Sequence, residues 1–584
     1  MACPYRAARC GALLVLSFST RVSAQSPDPR DSVSRLHRVK IVAARDPVRP
    51  LTPLQQATLS ASASVSSQRA QESINLVDAE DAVKYQPSLF LRKRNNGDTQ
   101  AVMGTRVWGV SSSARSLVFA DGVALSALIA NNNSIGGPRW GLVSPMEIER
   151  VDVMYGPFSA AYAGNSMGAV IEMTTRMPTR FTGTVNQTVS QQSFHLYGTN
   201  RRLGMSQSSL SVGDRIGKLS FWVSGNYQTG DAQPLTYVTA ATFPSGTTGG
   251  YAASNKLGVA ANVLGAASVL STGMTNVTGK LAYDLTPAVR AAYSVGYWVN
   301  STESGTETYL EKAGSPSFAA NSGFASGTYQ LDQRHTMQSL SVRSASRGDW
   351  DWEAVATRYA FDHDQQRSPT TAAATGLTFG QAGRATVLDG TGWATWDAKA
   401  IWHRGGRGAL NTVSAGVHAD AYVLANATYN TAEWTAGPFG SVASDGEGRT
   451  RTTALWIQDA WRVRPALTAT IGARAEWWRA EDGRNVSGST VVEQPSRDMT
   501  RVSPKATLVW TARPSTTVTA SLGKAYRFAT VSELYQLVTT GATFTSPNPD
   551  LRPTTCWRPN CASSTAVTAA ACRSHCSRTT FATR

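Results

Sequence analysis

The chain has 584 residues, with 55 Lys+Arg against 39 Asp+Glu and a formal net charge of +16. That length exceeds what one small core serves, and aromatic and β-branched residues recur through almost all of it, which excludes intrinsic disorder. The positive charge is spread thinly, without a long Lys/Arg run, so nucleic acid is excluded as the expected partner.

Residues 1–24 read as a secretory signal. Arg6 and Arg9 form a basic start, residues 11–19 a short apolar run, and Val22-Ser23-Ala24 a small-residue cleavage site. The apolar run is far shorter than the roughly 20 residues that cross a bilayer as a helix, and no later segment reaches that length. Residues 25–72, rich in Ser, Ala, Gln, Arg and Pro, read as a flexible leader. Residues 73–178 form a compact mixed segment. An exported chain of this kind is either a soluble β-protein or an outer-membrane barrel.

From about residue 180 onward, runs of period 2 recur. Leu219, Phe221, Val223 and Tyr227 alternate with Lys218, Ser220, Ser224 and Asn226. Val289, Ala291, Tyr293, Val295, Tyr297 and Val299 alternate with Arg290, Ser294 and Asn300. The odd residues from Val413 to Val423 face away from Thr412, Ser414, His418 and Asp420, and Leu467 to Ala475 repeat the pattern against Thr468, Thr470, Arg474 and Glu476. One apolar and one polar face over about ten residues is what a membrane barrel strand needs. Tight turns at 285–287 and 463–465 alternate with long polar stretches at 228–274, 300–334 and 426–450. Most of the 16 Trp lie between 222 and 510, as an interfacial girdle would place them.

The segment before these strands carries a family resemblance. Ile148-Glu149-Arg150-Val151-Asp152-Val153-Met154-Tyr155-Gly156-Pro157, followed by Ala160-Ala161-Tyr162-Ala163-Gly164-Asn165-Ser166-Met167-Gly168-Ala169-Val170, resembles the end of the plug domain of TonB-dependent outer-membrane receptors. Val118-Phe119-Ala120-Asp121-Gly122 resembles the plug's strand and turn. Residues 81–89, 454–461, 467–474, 503–505, 526–528, 532–535 and 548–551 resemble further family segments in the family's order.

The resemblance implies an all-β transmembrane β-barrel, 22-stranded in the family, with an N-terminal α+β plug domain in the lumen. The expected division is plug 73–178, barrel 179–555 and an aberrant tail 556–584. It also implies energy-coupled uptake of a scarce ligand, most often a ferric siderophore, with vitamin B12, other metal chelates or oligosaccharides as further possibilities. Implied partners are a TonB-type energy-coupling protein, outer-membrane lipid and the small-molecule ligand. Val39, Lys40, Ile41, Val42, Ala43 and Ala44 form the candidate TonB box, a β-prone stretch suited to strand addition. Ligand contacts are expected from the plug apices at Asn131, Asn132, Asn133, Arg139 and Trp140. Gly156, Gly164 and Gly168 would permit close packing of plug against wall, and Arg106, Arg115, Arg139 and Arg150 would pair with barrel carboxylates. A passive porin-like or adhesin-like barrel is the alternative.

Roughly 17–19 strands are expected for 180–555, from strands of 9–11 residues with their connections. From Cys556 onward the sequence carries four of the six Cys, no Asp or Glu and no evident alternation. We expect a frameshift or premature stop there, and an incomplete barrel that assembles poorly. A genuine Cys-rich extension and a smaller barrel complete near 555 stay open.

Catalytic chemistry is not expected, and neither cofactor nor metal is required. Gly164-Asn-Ser166-Met-Gly168 fits the G-x-S-x-G pattern, but a β-prone run follows it where the hydrolase elbow needs a helix. Asp362-His363-Asp364 is an isolated tripeptide, and the seven His are scattered.

Overall fold

The computed structural model describes residues 63–98, 101–105, 108–346, 348–405, 409–535, 538–540, 543–545, 548, 550–567, 570–577 and 580–581. The expected signal at 1–24 and the candidate TonB box at 39–44 lie outside these. Among the described residues no helix is long and apolar enough to cross a membrane.

The plug is built on seven short strands: β1 (Ala63–Ser66), β2 (Leu89–Arg92), β3 (Val102–Thr105), β4 (Leu117–Ala120), β5 (Val123–Ala124), β6 (Ile148–Met154) and β7 (Val170–Thr175). Five form one sheet in the order β1-β6-β7-β4-β5, and β2 and β3 form a separate hairpin. The β4–β7 pair is parallel and the other pairs are antiparallel. Val118, Val151, Val153 and Ile171 are fully buried in the plug core, each contributing about 1.5–3 kcal/mol by removal from water.

The expected leader, drawn to residue 72, overlaps this sheet. Ala63 and Val65 are buried while Ser64 and Ser66 point outward, and β1 pairs with β6 from Ala63↔Val153 to Ser66↔Arg150. The alternation is only four residues long and lies within a Ser/Ala-rich stretch, so composition conceals it.

From Thr182 the chain folds into an antiparallel meander in barrel order. Residue pairing runs through every step from Thr182–Leu196 to the segments after Thr554. The wall is inverted relative to a soluble sandwich. Tyr293, Val295, Leu455, Ile457 and Ile471 are exposed, whereas Asn276, Lys280, Gln458, Arg474 and Glu476 are buried. Such an apolar exterior over a polar interior suits lipid outside and plug within. Trp350, Trp352, Trp396, Trp461, Trp477 and Trp510 are exposed on this exterior.

Two expectations about the wall change. Strands run far beyond the 9–11 residues that cross hydrocarbon: Asn262–Thr286 has 25 residues, Val289–Thr308 has 20 and Val442–Arg464 has 23. They absorb much of the expected loops, because extending a hairpin whose loop is already closed adds paired backbone at little further entropic cost. Segments continuing along one neighbour count as one strand, so the described wall makes fifteen traverses, thirteen of them before Thr554, against the roughly 17–19 expected for 180–555 from shorter repeats.

The boundary placed at 555 falls inside the strand Thr554–Val567. This strand pairs with Thr516–Arg527 along that partner's whole length. Cys556, Arg558 and Asn560 point inward, while Trp557, Pro559 and Cys561 point outward. The alternation exists here, but its inward residues are polar or Cys and its outward set includes Pro.

Candidate functional site

The long ends of the barrel hairpins, away from two-residue turns such as 287–288 and 465–466, enclose a cavity of about 580 Å³ above the plug. Plug residues Arg92, Arg94, Asn133 and Arg139 form one side, and barrel residues including Tyr329, Gln333, Asp364, Asn426 and Asp445 form the other. The volume falls within the range of small-molecule sites.

Its electrostatics follow from which charges are already engaged. Arg94 is bound to Asp98, with Nη2 2.6 Å from Oδ1. The Asp364 carboxylate accepts from Gln333 Nε2 at 2.8 Å and lies 3.0 Å from His335 Nε2. Asp445 lies 3.4 Å from Arg484. Arg139 is 7% exposed; its Nη2 donates to the Ile135 carbonyl at 2.9 Å and its guanidinium sits 4.8 Å from the Phe361 ring centroid. Among the described residues, no carboxylate pairs with Arg92 or Arg139; with Arg94 they set three guanidinium groups against the Asp364 and Asp445 carboxylates in the lining, which leaves the cavity net positive.

The five residues expected to touch ligand divide between lining and scaffold. Asn133 and Arg139 line the cavity. Asn132 shapes the loop from within, its Oδ1 accepting from the backbone N–H groups of Ser134, Ile135 and Gly136 at 3.0–3.1 Å. Asn131 ties this tip to the barrel side, donating to Glu533 Oε1 at 3.0 Å in the helix Val531–Tyr535. Trp140 is buried, and its indole donates to the Ala101 carbonyl at 3.0 Å. Sequence reasoning missed Arg92 and Arg94, although the basic triplet Arg92-Lys93-Arg94 was a visible signal. Lys93 turns the other way, into Asp78 (2.6 Å), Glu80 (3.3 Å) and Asp81 (3.0 Å). Burial pulls its ammonium down, but these three carboxylates outweigh that and hold it above its ordinary value.

Plug and wall are latched in a charge sense opposite to the expected one. Lys280 of the wall reaches Glu147 at 2.8 Å and Asp121 at 3.7 Å, and Ser224 donates to the same Glu147 carboxylate. Arg343 donates to the Asp121 carbonyl at 2.6 Å, Arg474 to the Ala161 carbonyl at 3.3 Å and Arg558 to the Met167 carbonyl at 2.5 Å. The cations therefore come from the barrel, and the plug supplies carboxylates and main-chain carbonyls. Arg150 pairs with Asp152 inside the plug at 2.8 Å, Arg115 stacks on Trp108 at 4.2 Å, and Arg106 lies outside the described residues. Glu172 of the plug is buried against this seam, and burial pushes its carboxyl up to about 8.

The motif residues have structural roles. Asp121 (φ 52°) and Gly122 (φ 89°) make the tight β4–β5 turn, and Asp121 Oδ1 accepts from Thr175 N at 3.0 Å. Glu149 and Arg150 lie on β6. Gly156 has φ 104° before Pro157. A Cβ on Gly164 would stand 1.8 Å from the Tyr526 carbonyl oxygen, and one on Gly168 would stand 2.5 Å from the Arg115 carbonyl oxygen. Ser166 is fully buried and donates to the Ala163 carbonyl at 2.6 Å, an arrangement that holds a turn and leaves no exposed nucleophile. His363 lies 3.4 Å from Asp389, and the described residues contain no group of three potential metal ligands.

Comparison with known proteins agrees with this architecture. Residues 55–170 match the TonB-dependent Receptor Plug Domain, and residues 276–557 match the family described as TonB dependent receptor-like, beta-barrel. A mutant of the ferric enterobactin receptor from Pseudomonas aeruginosa superimposes with TM-score 0.60 at 14% identity, over 89% of this chain and 71% of that one. The ferric yersiniabactin uptake receptor of Yersinia pestis gives 0.57 at 11%, over 88% and 71%. A copper transporter, OprC, gives 0.60 at 12%, over 88% and 71%. At such identities the likeness is one of fold. No curated protein sequence matches the chain. The two domain matches, a latched plug and an inside-out β-wall together place this chain in the TonB-dependent receptor family.

Proposed function

We propose that the chain is an outer-membrane receptor of a Gram-negative bacterium for energy-coupled uptake of an anionic metal chelate, a ferric siderophore being the leading class. The observation that carries this reading is the cavity of about 580 Å³ in which Arg92 and Arg139 face the space without carboxylate partners among the described residues. Guanidinium groups lining a cavity recognise carboxylate or catecholate oxygens through charge-assisted hydrogen bonds. The resemblance to siderophore and copper receptors supports the class of cargo without selecting a member. A TonB-type partner would engage residues 39–44 by strand addition and pull on the plug, and the largely main-chain latches would give way stepwise.

The test is a binding titration of the purified full chain, by tryptophan fluorescence, against a panel of ferric chelates of graded charge. Affinity should rise with negative charge, and the Arg92→Ala, Arg139→Ala double variant should lose at least tenfold for the best anionic chelate. Equal affinity for neutral and anionic chelates, or an unaffected double variant, overturns the reading.

A further inference from the structure

On the outer wall, well away from the ligand cavity, five neighbouring strands align four rows of outward-facing residues. The row Trp352–Ala400–Ala415–Ile457–Ala473 lies beside the row Ala354–Ala398–Val417–Leu455–Ala475. Between Trp352 and Leu455 the floor is mostly Ala, and the wall is hollowed by about 750 Å³ of almost wholly apolar space. The next row, Ala356–Trp396–Ala419–Thr453–Trp477, sets two indoles on either side of a gap of small residues. Trp396 and Trp477 are 46% and 45% exposed, as in an interfacial girdle. One row further toward the long-hairpin end stands Arg358–Ala394–Ala421–Arg451–Arg479.

We infer that this face binds an acylated, phosphorylated lipid of the surrounding membrane, with acyl chains in the alanine hollow and phosphate held by Arg358, Arg451 and Arg479. Three features select this occupant. The hollow and the cations are stacked in the order of a lipid, apolar first and charge beyond an aromatic row, at the level where arginine reaches out of hydrocarbon. Arg358 and Arg451 stand three strand spacings apart, about 14 Å, which leaves the small residues Ala394 and Ala421 open between them. Arg451 and Arg479 are direct cross-strand neighbours, a like-charge pairing that is unfavourable by itself. Glu481 accommodates it by taking the Nε of each at 3.0 Å, and Asp498 lies 3.7 Å from one Nη of Arg479. The Nη groups of Arg451 stay available for a phosphate, and Arg358 has no acidic partner among the described residues. A second copy of the chain would need an apolar ridge able to fill the hollow and anions to meet three guanidinium groups.

The inference rests on the fold and not on the identity of the transported ligand. It is tested by native mass spectrometry of the detergent-purified full chain, titrated with hexa-acylated, bis-phosphorylated lipid A and with its dephosphorylated form. We expect one tightly held phosphorylated lipid. Arg451→Ala, Arg479→Ala should weaken that form at least tenfold while leaving the dephosphorylated one unchanged, and Ala398→Trp, which fills the hollow, should weaken both. Should the double variant fail to fold, Arg358→Gln alone should weaken the phosphorylated form at least threefold. Equal binding of the two lipid forms, variants indistinguishable from the parent chain, or a mass of two chains in place of chain plus lipid overturns the inference.

Discussion

Single residues fix how tightly plug and wall meet. Gly164 lies so close to the Tyr526 carbonyl that no side-chain carbon fits without backbone movement. Gly164→Ala should therefore destabilise the folded chain by at least the about 1–3 kcal/mol typical of overpacking, read as a lower midpoint in the heat-modifiability gel shift. Gly156, at φ 104°, is needed for a different reason, its backbone conformation. These glycines were legible in the run from 148 to 175, since their spacing between β-prone segments is local. The division of Asn131, Asn132 and Asn133 into tie, loop former and cavity lining was not. Three identical side chains in sequence are told apart only by what the fold brings beside each, Glu533 in one case and the loop's own N–H groups in another.

At the scale of elements, alternation was a reliable guide wherever the outward face is apolar, as in Leu467–Ser487, and a poor one in Thr554–Val567, where Cys, Arg and Asn fill the inward positions. Which element carries the latch charges depends on cross-wall proximity, so the expected plug arginines were replaced by Lys280, Arg343, Arg474 and Arg558 of the barrel. Lys280 and Glu147 are both almost fully buried, at 2.8 Å. Removing one partner strands the other's charge, so Lys280→Met should cost about 3–5 kcal/mol in urea unfolding. Lys280→Met combined with Glu147→Leu should recover most of that loss. A double variant as unstable as the single one would show that the pair holds more than its own two charges.

For the whole molecule, the plug–wall seam makes stability depend on pH. The Glu172 carboxyl, pushed up by burial to about 8 from an ordinary 4.5, holds a proton in the folded chain that the unfolded chain releases. Its contribution is complete below about 4.5 and is lost as pH rises through 8, with a slope of at most about 1.4 kcal/mol per pH unit. Unfolding midpoints should therefore fall between pH 5 and pH 8.5, and Glu172→Gln should flatten that fall. Coupling is tested by deleting residues 39–44: binding of the chelate should persist while its uptake into cells stops, and persisting uptake would favour a passive barrel. By itself, the sequence determined the class of fold and the plug's signature, because period-2 patterning and closely spaced glycines are local properties. Only the tertiary structure decided which arginines above the plug lack a carboxylate partner among the described residues, which side supplies the latch cations, and how alanines from separate strands form one hollow beneath three arginines. Each of these depends on register between residues far apart in the chain, which no local pattern encodes.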